Sequence, residues 1–468
     1  MAQQRISLAV MLLMAAASLV SVQLPPLASS AALPQFPKIK SYATRARAEQ
    51  IMKKLDGFFQ RHGDDAVEKL LPPPAPPVVN VRQLDSSPAE GAVLYSVDLA
   101  VGTPAQTISG VMDISTQLVW MQCDPCTACL PPPASTFKPR DSANFSAFKC
   151  SSKTCKDVLG PSCAGNNDPC KYLAIYGNST ATIGYLAADT FTFGTTAVQR
   201  MVFGCSHRSV GVYSGASGII GFGRGQLSLV SQLGLSNFSY FLAPQDSRRD
   251  NEIQLGDVAV PQTDRSRSTR LHKSSKHSDL YYVALTGIKV DGQVLNDIPP
   301  GTFDLREDGS GGVFLSTTVP VTYLQKDAYN VLRRAFVSRI QSKPVDAPNL
   351  GLDLCYTAKS MAGTNIPRLT LVFDGVDAAM ELGSANYFFK FKDGATELQC
   401  LAVLPSRDAS LLGSLLQTGT KMIYDLDGEQ LTFVMEDSPR LSQAPHSQAA
   451  SLIIIIVVVP VAVWMLMF

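Results

Sequence analysis

Apolar positions recur along this chain at two different periods. From about residue 90 they form short alternating runs broken by Gly, Pro, Asn and Ser. Examples are Val93–Val101, Thr190–Phe193, Tyr281–Val290, Leu369–Phe373 and Leu431–Val434. Period-two alternation between turn residues predicts strands, so the region 90–437 reads as mainly β. Helical patterning is sparse there, with Lys326–Ile340 the clearest stretch. Upstream the period changes. Ile51, Leu55, Phe58 and Phe59 stand at helical spacing within 38–71, among eight Lys/Arg and five Asp/Glu. That pattern predicts an amphipathic helix, stopped by the stiff spacer Pro72-Pro73-Pro74-Ala75-Pro76-Pro77.

Two blocks are apolar without any period. Arg5 precedes the run Ile6–Val22, which trails into small residues at 28–32, the layout of a secretory signal. The run Leu452–Phe468 carries no charge and no basic residue after it. Seventeen residues is the lower limit for a bilayer span. Small residues at Ser442-Gln443-Ala444 and a polar spacer precede it, which fits a glycolipid-anchor signal attached at Ser442, with a retained tail helix as the alternative. The chain therefore divides into a signal (1–32), a propeptide-like leader (33–89), a first lobe (90–262), a linker (263–280), a second lobe (281–437) and a spacer with tail (438–468). The linker assignment rests on the Ser-, Arg-, Lys- and His-rich run 261–280, which reads as a solvated connection.

Composition narrows the functional classes. Forty basic and 39 acidic residues nearly cancel, which gives no electrostatic footprint for nucleic acid. Eight cysteines, Cys123, Cys126, Cys129, Cys150, Cys155, Cys163, Cys170 and Cys205, lie in the first half; Cys355 and Cys400 lie in the second. Both sets are even, so each can close within its own lobe. Behind an export signal and without a nearby His pair, disulfides are expected over a metal site at Cys123-x-x-Cys126-x-x-Cys129. No metal and no cofactor are expected. The sequons at Asn144, Asn178 and Asn237 fit the same secretory route.

A faint internal repeat carries the chemistry. Asp113 is followed 107 residues later by Ile220 of Ile219-Ile220-Gly221, and Ser316 is followed 96 residues later by Leu412 of Leu411-Leu412-Gly413. Two copies of one lobe facing across a cleft would produce this.

With Tyr95–Pro104, Leu118–Cys123, the Cys-rich insert 123–170, Tyr176-Gly177, Phe203-Gly204-Cys205, Gly221–Leu233, Tyr281–Gly292, Thr322-Tyr323-Leu324, Cys400-Leu401-Ala402 and Tyr424-Asp425-Leu426 in that order, the chain resembles the pepsin-like aspartic proteases, specifically the plant nepenthesin-like group. The resemblance implies a bilobal, mainly β fold, two six-stranded-type lobes around a central cleft, in a single chain. It implies a flap tyrosine at Tyr176 beside Gly177, and a catalytic Asp-Thr/Ser-Gly in each lobe. Those two carboxylates share one proton, so that one acts as base and the other as acid. The hydroxyl after each aspartate braces the opposite loop.

Here Asp113 stands in the first motif, but Ile114 and Ser115 follow it. In the second, Ser316 replaces the aspartate, Thr317 keeps a hydroxyl and Thr318 replaces the glycine. Three expectations follow. Ser115 and Thr318 should resist glycine-type backbone; Asp113, without a partner charge, should have an ordinary pKa; and catalysis should be lost by orders of magnitude. The flap has Asn178-Ser179-Thr180 where the family has Asp-Gly-Ser, and Phe241 stands where the family commonly has Cys, implying one disulfide fewer. Dyad-less family members that inhibit other secreted enzymes imply a non-catalytic role for such a cleft: binding a peptide or protein. The expected site is the cell wall or the outer face of the plasma membrane, reached by secretion or by the tail. The alternative is an active endopeptidase with an unorthodox centre around Asp113, needing a second acid; Asp304, Glu307 and Asp308 precede the second motif without a spacing that brings them to it. A serine hydrolase at Ser316 is disfavoured, because His62, His207, His272, His277 and His446 have no evident triad context and no Gly-x-Ser-x-Gly element occurs.

Overall fold

The computed structural model describes residues 78–84, 94–130, 134–159, 165–176, 180–211, 215–244, 249–347, 351–393 and 395–435. The expected signal, the 38–71 helix, Ser442 with the tail, and Cys163, Gly177 and Asn178 lie outside them. Among the described residues no helix is long and apolar enough to cross a membrane.

The alternating runs become strands. In the first lobe these are β1 (Val78–Leu84), β2 (Leu94–Val101), β3 (Gln106–Asp113), β4 (Trp120–Gln122), β5 (Lys171–Tyr176), β6 (Thr180–Phe193), β7 (Thr196–Val210), β8 (Gly218–Gly221), β9 (Asn237–Phe241) and β10 (Asn251–Leu255). The second lobe carries β11 (Ser266–His272), β12 (Tyr282–Val283), β13 (Val313–Leu315), β14 (Thr322–Gln325), α1 (Lys326–Arg339), β15 (Val403–Ser406), β16 (Ser410–Leu412), β17 (Thr420–Asp425) and β18 (Gln430–Met435). A four-stranded outer sheet, which includes Leu285–Val290 and Leu369–Phe373, backs the second lobe. In α1, the side chain of Gln325 accepts from the Asp327 N–H at 2.7 Å, and Ala328, Tyr329, Leu332 and Phe336 are buried. One orphan donor of the first turn is thus capped while an apolar stripe packs inward.

The repeat predicted from sequence is present in the strand register. In the first lobe β3 runs parallel to β8, pairing Met112 with Ile220 and Asp113 with Gly221, while β4 pairs antiparallel to β8. In the second, β13 runs parallel to β16, pairing Leu315 with Leu412, and β14 meets β16 antiparallel at Tyr323 and Leu411. Both apolar-apolar-Gly units therefore thread between the two arms of a loop that carries the Asp113 or Ser316 position. The glycines follow from that crowding. A Cβ at Gly221 would lie 2.6 Å from the Gln117 carbonyl carbon, and one at Gly413 would lie 2.4 Å from the Pro320 carbonyl oxygen.

The lobes join through backbone pairing of β9 with β17, from Asn237 opposite Asp425 to Phe241 opposite Lys421. Across this seam the Phe238 and Tyr424 rings stack at 4.6 Å, and the Tyr281 hydroxyl donates to the Phe222 carbonyl at 2.9 Å. Stacking of this kind contributes about 1 kcal/mol beyond area burial.

Two boundaries differ from the sequence reading. Residues 78–84, assigned to the leader, pair with β2 and β10 as part of the sheet. The supposed solvated linker contains β11, which pairs with β18 and β12. Its burial falls on Thr269 and Leu271, too short an alternation to outweigh the surrounding Ser and Arg.

Disulfides Cys123–Cys205, Cys126–Cys129, Cys155–Cys170 and Cys355–Cys400 close within their own lobes. Cys150 is also disulfide-bonded. Phe241 is buried, and the Arg249 guanidinium lies 3.9 Å from its ring centroid, so packing occupies the position where the resemblance implied a cysteine.

Candidate functional site

Asp113 ends β3 and Ser316 follows β13, each held by its threading strand. The Phe222 N–H donates to the Asp113 carbonyl at 2.8 Å, and the Ser316 N–H donates to the Leu412 carbonyl at 3.1 Å. Thr317 brings the two loops together. Its hydroxyl donates to the Met112 carbonyl at 2.7 Å and accepts from the Ile114 N–H at 3.3 Å. That is one arm of a brace. The other arm would need a hydroxyl at position 114, where Ile114 is wholly buried in the apolar core.

The two chemical positions differ in kind. Asp113 is 4% exposed, and one of its carboxylate oxygens accepts from the Ser115 N–H at 2.8 Å and from the Ser115 hydroxyl at 2.5 Å. Ser316 offers only a hydroxyl, which accepts from the Thr318 and Val319 N–H groups at 3.3 Å and lies 3.3 Å from the Thr318 hydroxyl. The backbone amides that would receive a carboxylate are in place around an oxygen that cannot titrate.

Two expectations need correction. Neither Ser115 nor Thr318 has positive φ, so no glycine-only backbone resists them; the Ser115 hydroxyl instead turns onto Asp113. Nor is the Asp113 pKa ordinary. Burial pushes it up, and the Ser115 hydrogen bonds oppose that only in part. Loss of the partner charge removed one cause of elevation, but desolvation acts without a partner.

On the flap, Tyr176 ends β5 with its ring 6.5 Å from that of buried Trp120, at 26°. Asn144 is exposed, its amide nitrogen donating to the Thr103 and Thr190 hydroxyls. Asn237 lies in β9, half-buried, with its amide oxygen accepting from the Val258 N–H at 2.9 Å. Asp304, Glu307 and Asp308 are exposed, and Asp308 bonds to Ser310; none of the three joins the centre. Among the described residues no cluster of potential metal ligands occurs.

Sequence reasoning missed two residues here. Gln417, fully buried, donates from Nε2 to the carbonyls of Ser316, Leu412 and Gly413, and its Oε1 accepts from the Tyr240 hydroxyl of the first lobe. A lone Gln directly after Leu411-Leu412-Gly413-Ser414-Leu415-Leu416 was the available signal. Asp279 is bonded to Gln117, and burial pushes its carboxyl up to about 6. Asp113 feels burial and Ser115, while Asp279 feels burial and Gln117, so the two acids do not act on each other as a dyad would.

Asp279 gives folding a pH dependence. Its unfolded pKa is near 3.8 and its folded value about 6, so folding binds a proton between them. The stability it contributes is fully present below about pH 4 and is lost as pH rises through 6. Asp279→Asn is expected to remove about 2 kcal/mol of this decline, allowing for partial exposure. Thermal melts of both proteins at pH 4 and pH 7 test it; identical pH slopes would refute the assignment.

The comparisons agree with this geometry. Residues 95–257 match the family model described as xylanase inhibitor N-terminal, and residues 280–435 match xylanase inhibitor C-terminal. Aspartic proteinase nepenthesin-2 of Nepenthes gracilis is 38% identical over 344 residues, covering 73% of this chain and 77% of its own. Nepenthesin-1 of the same plant is 35% identical, covering 72% and 77%. Aspartyl protease family protein 2 of Arabidopsis thaliana is 31% identical, covering 74% and 71%. Among solved structures, the basic 7S globulin from soybean matches with TM-score 0.59 and 19% identity over 78% of this chain and 96% of its own. Conglutin gamma from lupine seeds matches with TM-score 0.59 and 21% identity over the same shares.

Proposed function

This chain belongs to the nepenthesin-like plant aspartic proteases, and from that membership we propose that it is a catalytically inactive homologue that holds a peptide or protein segment in its interlobe cleft. The observation that carries the reading is Ser316. Peptide hydrolysis in this family needs one group to take a proton from water while a second gives one to the carbonyl. Asp113 alone can be in only one of those states, and Ser316 has no proton to exchange at acidic pH. The retained Thr317 brace and flap Tyr176 support a cleft still shaped for an extended chain. Inhibition of a secreted hydrolase is one form such binding would take, in keeping with the description of the matching family models.

Residues 33–437 should leave acid-denatured haemoglobin intact from pH 2 to 7. Acid-dependent cleavage that disappears in Asp113→Ala would overturn the proposal. The alternative of a working centre gains nothing from Asp279, which acts on Gln117 and not on Asp113.

We place the protein in the secretory pathway and at the outer cell surface, glycosylated, held by a lipid attached at Ser442. Phosphatidylinositol-specific phospholipase should release it from membranes; retention after treatment would favour a tail helix over the lipid.

A further inference from the structure

A disulfide constrains the unfolded chain more as the loop it closes grows. By that measure one pair in the first lobe differs from the rest. Cys126 and Cys129 are three residues apart, whereas the Cys155–Cys170, Cys355–Cys400 and Cys123–Cys205 bonds span 15, 45 and 82. The pair differs in access as well. Cys129 is exposed and Cys126 half-buried, while every other described cysteine is buried.

The turn that carries the pair is secured without it. At its start the Cys123 N–H donates to the Ser206 carbonyl at 2.7 Å, and the Asp124 N–H to the Phe137 carbonyl at 2.8 Å. In its middle the Thr127 N–H and hydroxyl both donate to the His207 carbonyl, at 2.8 and 3.0 Å, and the Ser209 N–H donates to the Ala128 carbonyl at 2.9 Å. At its end the Leu130 N–H donates to Gln122 Oε1 at 2.9 Å, and Leu130 packs in the apolar cluster that contains Trp120. The Cys126–Cys129 bond therefore joins no two elements; it ties one turn to itself. Opening it costs the fold little, and the contacts with β7 keep the two residues near their Cα separation of 5.6 Å. An accessible bond of small structural weight, with its two thiols held as neighbours, is the combination that exchanges reversibly.

We propose that Cys126–Cys129 is a reversible thiol–disulfide exchange site, opened by a dithiol reductant while both lobes stay folded. A thiolate of the reductant attacks the Sγ of Cys129, the more exposed residue of the two. The Cys126–Cys129 bond breaks, a mixed disulfide forms at Cys129, and Cys126 leaves as a thiolate that takes up a proton. The second thiolate of the reductant then attacks its own sulfur in the mixed disulfide and releases Cys129 as the second thiol. Two electrons and two protons pass to the protein, and the dithiol leaves as a disulfide. The exchange uses neither Asp113 nor Ser316, so it is independent of what the cleft does.

The test uses the full chain, expressed through a secretory route and kept undenatured. It is treated with dithiothreitol over time, free thiols are trapped with N-ethylmaleimide, and the labelled cysteines are identified by peptide mass spectrometry. Cys126 and Cys129 should be labelled together, roughly tenfold or more faster than any of the buried cysteines. Amide exchange over β3 and β13 in this partly reduced protein should match that of the untreated chain. Removal of the dithiol and addition of oxidised glutathione should restore the Cys126–Cys129 bond as the main product. Labelling of the pair no faster than Cys123 and Cys205, or only with loss of amide protection in β3 and β13, would overturn the proposal. So would a reduced pair that stays open or reoxidises onto other cysteines.

Discussion

Ser316→Asp is expected to convert this protein into an acid protease. The surroundings of position 316 already suit a carboxylate, with the Thr318 and Val319 amides aimed at the Ser316 hydroxyl from 3.3 Å. A carboxylate extends one bond further and would receive these donors more closely, as charge-assisted hydrogen bonds. The loops need no re-docking, because Thr317 already ties Met112 and Ile114 across the gap. Nor must Ser115 and Thr318 revert to glycine first, since both sit in ordinary backbone. With two carboxylates in one buried site, the pair cannot both ionise, and they titrate as a unit with separated apparent values. General acid–base catalysis then adds about 10²- to 10⁴-fold to cleavage of denatured haemoglobin, with a bell-shaped acid profile. A statine-type inhibitor should block this activity, and Asp113→Ala in the same background should abolish it. Further addition of Ser115→Gly should raise the rate, because the Ser115 hydroxyl competes for the Asp113 oxygen that catalysis needs. A folded Ser316→Asp protein with no activity would mean that the cleft is altered beyond its two motifs.

The parts of the site legible in the sequence were those with a local signature. Ile219-Ile220-Gly221 and Leu411-Leu412-Gly413 are recognisable because each must be apolar on both faces and end without a Cβ, and the register confirms both. Asp113 and Ser316 were placed by the same repeat. What escaped were properties set by tertiary contact. Nothing near Asp279 in the chain indicates that it meets Gln117, and nothing near Asp113 measures its desolvation. The expectation of strain at Ser115 failed for a related reason. Glycine in that motif was read as a demand on φ, whereas the backbone is ordinary and leaves room for a hydroxyl that finds a partner on Asp113. Strand β11 was missed because its pairing partners come from β12 and β18, while its own residues carry the polar composition of a loop.

Gln417→Leu should cost about 3–5 kcal/mol of stability, more than an ordinary core substitution of equal volume. The side chain is fully enclosed and serves both lobes at once. Its amide hydrogens meet the carbonyls of Ser316 and Leu412 at 3.0 Å and of Gly413 at 3.2 Å, while its oxygen receives the Tyr240 hydroxyl. Tyr240 in turn lies 3.1 Å from the Tyr424 hydroxyl. Leucine fills the space but leaves the Ser316 carbonyl and the Tyr240 hydroxyl short of partners, where each buried orphan costs about 1–3 kcal/mol. Tyr240→Phe alone should cost less, since it leaves the three carbonyl contacts of Gln417 in place and takes a partner only from the glutamine oxygen and the Tyr424 hydroxyl. The informative variant carries both changes. If the network acts as one unit, the double mutant is less destabilised than the sum of the singles, by about 1 kcal/mol or more, because removing both partners erases the orphan that each single change leaves in the Gln417–Tyr240 pair. Urea unfolding of the four proteins with disulfides intact measures the cycle. Additive costs would mean that Gln417 fills space without joining the lobes. A positive coupling would place the floor of the Ser316 loop under the control of a first-lobe tyrosine, which is what a cleft kept for binding requires once the dyad no longer holds its two halves in register.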